Sequence, residues 1–276
     1  MSFKQKENRI LTTLKKGEVP LGMQFNTGDP SLVEILGYTG FDFYMLCLEH
    51  GHMGIERIEH CVRAADAAGI TTIVRVPEND PSIIRHCIEA GAQGIVIPHI
   101  KTREDAKKAV ASVRYPPEGE CGICPAIRAA QYSIADWNEY LEQAKRQNMV
   151  ILLLEDKEAV ENAEEIFAEL KPGLDAAGLA RGDLSQSITL PGEKVTWNHP
   201  YMEKAFEKVM AISKRTGIPL MDMPRPEHTP ECAKKVLDSG VKIILYSVDQ
   251  LLFYQMCQDI VEGIKGKTVK GSESVQ

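Results

Sequence analysis

The sequence has no long apolar segment, no block of like charge and no apolar leader. Its apolar runs are far shorter than the ~20 residues that a membrane-spanning helix needs, so we expect no contact with a membrane. The segment from Met1 to Glu7 is polar, which argues against a secretory signal peptide. The net charge of -7 is spread along the chain and argues against nucleic acid as a partner.

The cysteines do not indicate a disulfide framework. There are 7 of them, an odd number scattered through strand-like and helical segments, which favours free thiols in a reducing cytoplasm. Cys121 and Cys124 form a single CxxC pair, which is weak evidence for zinc without a second pair or nearby histidines. No predicted strand is followed by GxGxxG or a P-loop, so a doubly wound open sheet has no motif in its support. We therefore expect a cytoplasmic protein.

Short apolar runs alternate with helical patterns along all 276 residues. The predicted strands are 21–25, 42–48, 71–76, 94–97, 150–154, 176–180, 219–221 and 241–246. Strand–helix alternation requires parallel strands with right-handed crossovers. Eight such units in about 250 residues predict a (β/α)8 TIM barrel of the α/β class, and a doubly wound open sheet is the alternative. We expect one domain over residues 1–264 and a polar tail over 265–276.

Helix signals support this division of the chain. Asp29 and Asp80 each precede a proline at a first helical position, and Thr102 with Asp105 forms a capping-box pattern. Segment 115–133 is rich in proline, glycine and cysteine and is too long for an ordinary connection. Because long loops on a regular scaffold often bind ligands, we expect this one to be functional.

Two carboxylates follow neighbouring predicted strands. Glu155 ends the apolar run 150–154, and Asp183 follows the run 176–180. If these strands are parallel neighbours, their ends lie about 4.8 Å apart, and two carboxylates there can share one hard divalent cation. The alternative is that both are ordinary surface acids at strand ends.

Chemistry in a TIM barrel takes place at the carboxyl ends of the strands. The other polar residues predicted at these ends are Gln24, Asn26, Glu49, His50, Arg75, His99, Ser247 and Asp249. Each has a structural explanation when taken alone, such as a salt-bridged arginine on the rim. Together, an imidazole, a guanidinium and a metal site around one mouth suit a small anionic substrate whose carbonyl oxygen must be polarised.

Several motifs, in order and spacing, resemble the HpcH/HpaI family of metal-dependent class II aldolases, which act on 2-keto-3-deoxy sugar acids and 4-hydroxy-2-oxo acids. They are Gly40-Phe41-Asp42-Phe43, Glu49-His50, Val74-Arg75-Val76-Pro77, residues 89–94, Arg114-Tyr115-Pro116-Pro117, Glu155 and Gly182-Asp183-Leu184-Ser185. The resemblance extends from about Leu21 to Glu262 and implies a phosphoenolpyruvate/pyruvate-type barrel.

The resemblance also implies roles for individual residues. Glu155 and Asp183 would bind Mg²⁺ or Mn²⁺, with Co²⁺ or another ion as an alternative. Arg75 would contact the keto oxygen of an oxoacid substrate, and the backbone N–H groups of Gly182 and Asp183 would hold its carboxylate. His50 would be the base, and the loop 125–132 would shape the aldehyde side.

The family further implies a homo-oligomer, with a hexamer as the expected form, and the predicted last helix is more apolar than a lone surface helix needs. Its apolar residues are Leu251, Leu252, Tyr254, Cys257, Ile260 and Val261. The alternative explanation is that this face packs against its own barrel.

This chain departs from the family at several positions. Cys47 replaces the aspartate three residues before the histidine, and Leu153 replaces a glutamine two residues before the metal glutamate. Glu89 replaces an aspartate, and Arg181 adds a cation beside Asp183. These departures alter the residues implied in proton transfer more than those implied in metal binding. They leave two alternatives to an aldolase, which are an oxaloacetate decarboxylase or related metal-enolate lyase and a non-catalytic oxoacid-binding barrel.

Overall fold

A computed structural model describes residues 6–132, 136–196, 198–225 and 227–266. Eight parallel strands close into a barrel in the order β1 to β8. The strands are β1 (Leu21–Phe25), β2 (Phe43–Cys47), β3 (Thr71–Arg75), β4 (Gly94–Ile97), β5 (Met149–Leu154), β6 (Ala176–Leu179), β7 (Leu220–Asp222) and β8 (Ile243–Val248). The predicted (β/α)8 barrel is confirmed, and each predicted strand overlaps the observed one.

Helices follow every strand and surround the barrel, and one further helix precedes β1. They are α1 (Arg9–Lys15), α2 (Pro30–Tyr38), α3 (Ile55–Ala68), α4 (Pro81–Ala90), α5 (Arg103–Val113), α6 (Trp137–Gln147), α7 (Lys157–Glu161), α8 (Ala163–Phe167), α9 (Arg181–Ile188), α10 (Pro200–Thr216), α11 (Pro230–Asp238) and α12 (Asp249–Lys265). None of the helices within the described ranges is long and apolar enough to cross a bilayer. Of the predicted tail 265–276, residues 267–276 lie outside the described part of the chain.

The predicted caps form. Asp29 and Asp80 accept hydrogen bonds from backbone N–H groups in the first turns of α2 and α4. Thr102 and Asp105 make the reciprocal bonds of a capping box at α5. The helical segment after β5 is divided into α7 and α8 at Asn162, because the Asn162 backbone leaves the helical region and its side chain donates to the Lys101 carbonyl at 2.9 Å.

Helix α1 was not predicted, and it closes the amino end of the barrel, which we call the floor. Ile10 and Leu11 are buried and pack with side chains of the barrel interior. Asn8 caps the helix and donates to the backbone carbonyls of Gln93 and Gln147, just before β4 and β5. The helix is only 7 residues long, so its local pattern is weak and its packing stabilises it.

The loop 115–132 lies at the floor, and the expectation that residues 125–132 shape the aldehyde side of this chain's own barrel is wrong. Arg128 pairs with Asp66 and donates to the Ala90 carbonyl at 3.3 Å, both at the carboxyl ends of helices. The reason is topological. The loop leaves the carboxyl end of α5, and connections from helix to strand lie at the end of the barrel opposite its strand tips.

Candidate active site

Arg75 lies at the centre of the barrel mouth, where β3 ends. Its Nη2 donates to Oε1 of Glu155 at 2.7 Å, and its Nε is in ion-pair contact with Oε2 of Glu49. The arginine is buried, and Glu155 is only 1% exposed. One hydrogen bond to Glu155 and an ion pair with Glu49 therefore hold the guanidinium between two carboxylates.

His99 joins the same cluster from the end of β4. Its backbone N–H donates to Oε2 of Glu155 at 2.8 Å, and its Nδ1 lies 3.2 Å from that oxygen. Its Nε2 lies 3.2 Å from Oε1 of Glu49. His99 adopts φ of 57°, a conformation uncommon outside glycine. The imidazole is 53% exposed, so it contacts both carboxylates from the solvent side.

His50, the predicted base, lies at the rim. Its ring is 51% exposed, and Nε2 lies 3.9 Å from Oε2 of Glu49. The buried Cys47 Sγ accepts a hydrogen bond from the His50 backbone N–H at 3.4 Å and so contacts the backbone of that residue. Burial raises the pKa of the Cys47 thiol, so the thiol is neutral near pH 7. Cys47 therefore brings no negative charge to the His50 ring, and the carboxylate close to that ring is the one of Glu49.

Glu155 and Asp183 follow β5 and β6, which are parallel neighbours with Leu154 opposite Leu179. Burial raises the pKa of the Glu155 carboxyl, the Arg75 charge opposes this rise, and the Asp183 charge adds to it. The two acids are thus close enough to interact. A nearby cation would oppose both effects on the pKa, because it favours the ionised form of each carboxylate.

The donor set at this site fits a hard divalent cation. The Glu155 and Asp183 carboxylates would supply oxygen ligands of the kind that Mg²⁺ and Mn²⁺ accept, and substrate and water oxygens would supply the rest. Within the described ranges, no group of three or more His, Cys, Asp or Glu residues has metal-binding geometry. A cation here would therefore depend on the Glu155–Asp183 pair and on exogenous oxygens.

Helix α9 begins at Arg181, directly after β6. Gly182 and Asp183 lie in its first turn, where backbone N–H groups have no intrahelical acceptor and attract anions. Both residues line a cavity of about 140 Å³ together with Arg75. The mouth thus combines a guanidinium, a carboxylate pair and helix-terminal amides around one small space.

The end of β7 contributes charged groups that the sequence prediction missed. Asp222 is buried and accepts from Arg181 Nη2 at 3.0 Å. Arg225 lines the cavity three residues further on. The prediction ended this strand at Met221, one residue early, and named no polar residue for it. The sequence did contain a signal, since the charged residues Asp222 and Arg225 follow the apolar run 219–221.

Leu153, which departs from the family pattern, packs across the interior. It lies opposite Gly178 in the β5–β6 register. A Cβ at Gly178 would come within 2.7 Å of the Leu153 side chain. Both residues line the cavity, which is therefore apolar on this side.

A closed (β/α)8 barrel with acids, an arginine and histidines at its carboxyl end has the arrangement of a TIM-barrel enzyme active site. Residues 21–254 match the HpcH/HpaI aldolase/citrate lyase family, and the chain belongs to this family.

Named relatives cover nearly the whole chain. The 2-dehydro-3,6-dideoxy-6-sulfogluconate aldolase of Pseudomonas putida is 30% identical over 92% of this chain and 96% of its own. The 5-keto-4-deoxy-D-glucarate aldolase of Klebsiella pneumoniae is 26% identical over 94% and 97%. A crystal structure of a family member from Burkholderia cenocepacia superposes with a TM-score of 0.83, 26% identity and coverage of 94% and 99%.

Proposed function

We propose that this chain is a divalent-metal-dependent aldolase that cleaves a 4-hydroxy-2-oxo acid or 2-keto-3-deoxy sugar acid into pyruvate and an aldehyde. Membership of the family and the aldolase relatives support a carbon–carbon lyase. The observation that carries the proposal is Arg75, held by Glu49 and Glu155 beside the cavity that Asp183 and the α9 amides line.

Glu155 and Asp183 would hold the cation, with Mg²⁺ or Mn²⁺ as the expected ion. When bound, it supplies a Lewis acid that polarises the keto group of the substrate. The repulsion between the two acids and the burial of Glu155 support this assignment, because both disfavour two uncompensated negative charges.

The protein's own groups have separate tasks in this proposal. Amides of Gly182 and Asp183 hold the substrate carboxylate, and Arg75 donates to the keto oxygen. His50 removes the proton of the C4 hydroxyl while the C3–C4 bond breaks and an aldehyde leaves. The electron pair of that bond becomes the C2=C3 double bond of an enolate, and the Arg75 charge stabilises the negative charge that develops on the keto oxygen. A proton from the solvent added at C3 then gives pyruvate, and His50 releases its proton to the solvent.

Purified protein would be assayed for aldehyde-dependent consumption of pyruvate, before and after chelation and after return of Mg²⁺ or Mn²⁺. We expect chelation to lower turnover by about 10⁴-fold, since metal stabilisation of developing charge is worth several kcal/mol. Glu155→Gln and Asp183→Asn should behave like the chelated enzyme. Full activity after complete metal removal would refute the proposal.

Oxaloacetate decarboxylation is the second candidate, and Cys47 is the observation that favours it. The neutral thiol leaves the His50 ring without the adjacent carboxylate that the family pattern supplies. Decarboxylation needs the metal and Arg75 but no base on a C4 hydroxyl. Turnover of oxaloacetate well above that of every aldol substrate would favour this candidate.

A homo-oligomer, with a hexamer as the expected form, is also part of the proposal. Within α12, Leu251, Tyr254 and Ile260 are exposed, and Leu252 packs against the barrel. The chain's own barrel thus covers only part of this apolar face, and a second copy of the chain would cover the rest. Light scattering that gives a monomer at micromolar concentration would contradict this. A cytoplasmic location stays a prediction.

A further inference from the structure

Gln24 brings a polar side chain into an apolar part of the barrel interior. It lies on β1 opposite Met45 of β2, whose side chain belongs to the interior core. Because side chains that lie opposite each other on paired strands point to the same face, Gln24 also points inward. Met45, Leu153 and Leu245 line the cavity together with Gln24. An amide thus stands among apolar side chains in the cavity wall.

One end of the Gln24 amide is occupied and the other is open. Its Nε2 donates to Oδ1 of Asn26 at 3.0 Å. The Asn26 backbone N–H in turn donates to Asp249 at 3.0 Å, which holds this strand end against the start of α12. Within the described ranges, no group donates to the Gln24 Oε1. That oxygen is not fully enclosed, so a ligand in the cavity can reach it.

The burial of Gln24 makes this open acceptor selective. The residue is only 6% exposed. Leaving a largely buried acceptor unpaired costs more than an ordinary hydrogen bond contributes. A ligand that displaces water from the cavity must therefore supply an N–H or O–H group at Oε1, or it loses affinity.

The proposed function leaves no such donor on the pyruvate half of the substrate. The carboxylate and keto oxygens of that half accept hydrogen bonds, from the α9 amides and from Arg75, and C3 carries no polar hydrogen. The C4 hydroxyl gives its proton to His50. A donor for Gln24 must therefore come from the chain beyond C4, and in a cavity of about 140 Å³ the nearest such carbon is C5.

We propose that Gln24 is a specificity-determining residue whose Oε1 accepts a hydrogen bond from a hydroxyl group on C5, the carbon next to the aldehyde carbonyl. The enzyme then selects 2-hydroxyaldehydes over alkyl aldehydes of the same size. A site built to bond a hydroxyl discriminates against an analogue that lacks it, because its own acceptor is left unpaired. This inference rests on the proposed function, since the oxoacid end must occupy the Arg75 side of the cavity.

The test compares two aldehydes that differ by one group. Glycolaldehyde carries the hydroxyl, and propanal has a methyl group in its place. The kcat/KM of each is measured for addition to pyruvate with Mg²⁺-loaded protein. The ratio of the two values is then compared between variants, so that the intrinsic reactivities of the aldehydes cancel. Gln24→Met keeps the length of the side chain and removes the acceptor, and it should lower the glycolaldehyde-to-propanal ratio by about 10- to 100-fold.

Two further variants and one equilibrium measurement locate the effect. Gln24→Glu keeps an acceptor and should retain the preference for glycolaldehyde. Gln186→Met makes the same substitution at an exposed glutamine of α9 and should behave as wild type. The affinity for pyruvate, titrated calorimetrically, should be equal in Gln24→Met and wild type, because Gln24 serves the other half of the substrate.

Each outcome decides the matter. An unchanged ratio in Gln24→Met, folded by circular dichroism, overturns the inference but leaves the proposed function in place. Weaker binding of pyruvate by that variant also overturns it, because Gln24 would then serve the oxoacid end. Loss of the preference in Gln24→Glu has the same consequence, since an acceptor would not suffice. If Gln24→Met fails to fold, Gln24→Leu takes its place under the same criteria.

The wild-type enzyme separates this inference from the proposed function. A wild type that adds pyruvate to other aldehydes and not to glycolaldehyde overturns the inference alone. Absence of addition to any aldehyde overturns the proposed function as well.

Discussion

The floor and the mouth of this barrel each contain a buried arginine–carboxylate pair, and the pairs differ in their surroundings. At the floor, Asp175 contacts Arg114 and accepts backbone N–H bonds from Val150 and Lys171, both at 2.9 Å. At the mouth, the partners of Glu155 include the half-exposed His99, and its arginine borders the cavity.

The same pairing chemistry therefore serves two purposes. The floor pair joins the helix-to-strand connections before β5 and β6 to the end of α5, and it is bonded to main-chain N–H donors at Asp175 and to the Asn148 carbonyl at Arg114. The mouth pair positions a guanidinium where a ligand can reach it. We infer that the first pair contributes stability and the second contributes chemistry, which agrees with the division of labour between the two ends of TIM barrels.

Asp175→Asn should have the largest effect, which is a loss of stability. The change leaves the buried Arg114 charge without its counter-charge, which costs about 3–5 kcal/mol of unfolding free energy. Chemical denaturation gives this value, while turnover per folded molecule should stay at the wild-type level. As a control, Glu164→Gln removes a solvent-exposed ion pair with Arg215 and should leave the denaturation midpoint unchanged. An Asp175→Asn variant as stable as wild type would show that the floor pair does not contribute stability.

Arg75→Lys should show the reverse pattern. Lysine keeps the positive charge between Glu49 and Glu155 but loses the fork that aims a donor at the keto oxygen. Loss of one such donor lowers kcat by about 10²- to 10³-fold, while the thermal midpoint should remain near that of wild type. Steady-state kinetics with a saturating substrate provide the measurement. A variant with normal kcat would show that Arg75 is a structural residue, like Arg114.

Cys47→Asp should give the smallest effect of the three, and it tests which group at the mouth assists the His50 base. A carboxylate at this position would strengthen the His50 base, so aldol turnover should rise by about tenfold, within the range of general base catalysis. Oxaloacetate decarboxylation should change little. The competing view is that Glu49, whose carboxylate lies 3.9 Å from the His50 ring, already serves this role. Equal effects on both reactions would favour that view.

The sequence by itself determined the barrel and much of its mouth. Alternating apolar and amphipathic segments predicted the eight strands, because burial and helical periodicity are local properties. It also placed Glu155 and Asp183 after neighbouring strands and Arg75 at a third strand end, since parallel strands present their carboxyl ends on one side. These positions follow from the order of the elements alone.

Tertiary structure decided which of these groups are in contact. Closure of the barrel places Arg75 between Glu49 and Glu155, and the left-handed backbone of His99 turns that residue toward both acids. It also decided the position of α1 and of the loop 115–132. Distances across a barrel depend on register, strand tilt and side-chain packing between segments far apart in the chain, and no local pattern encodes them.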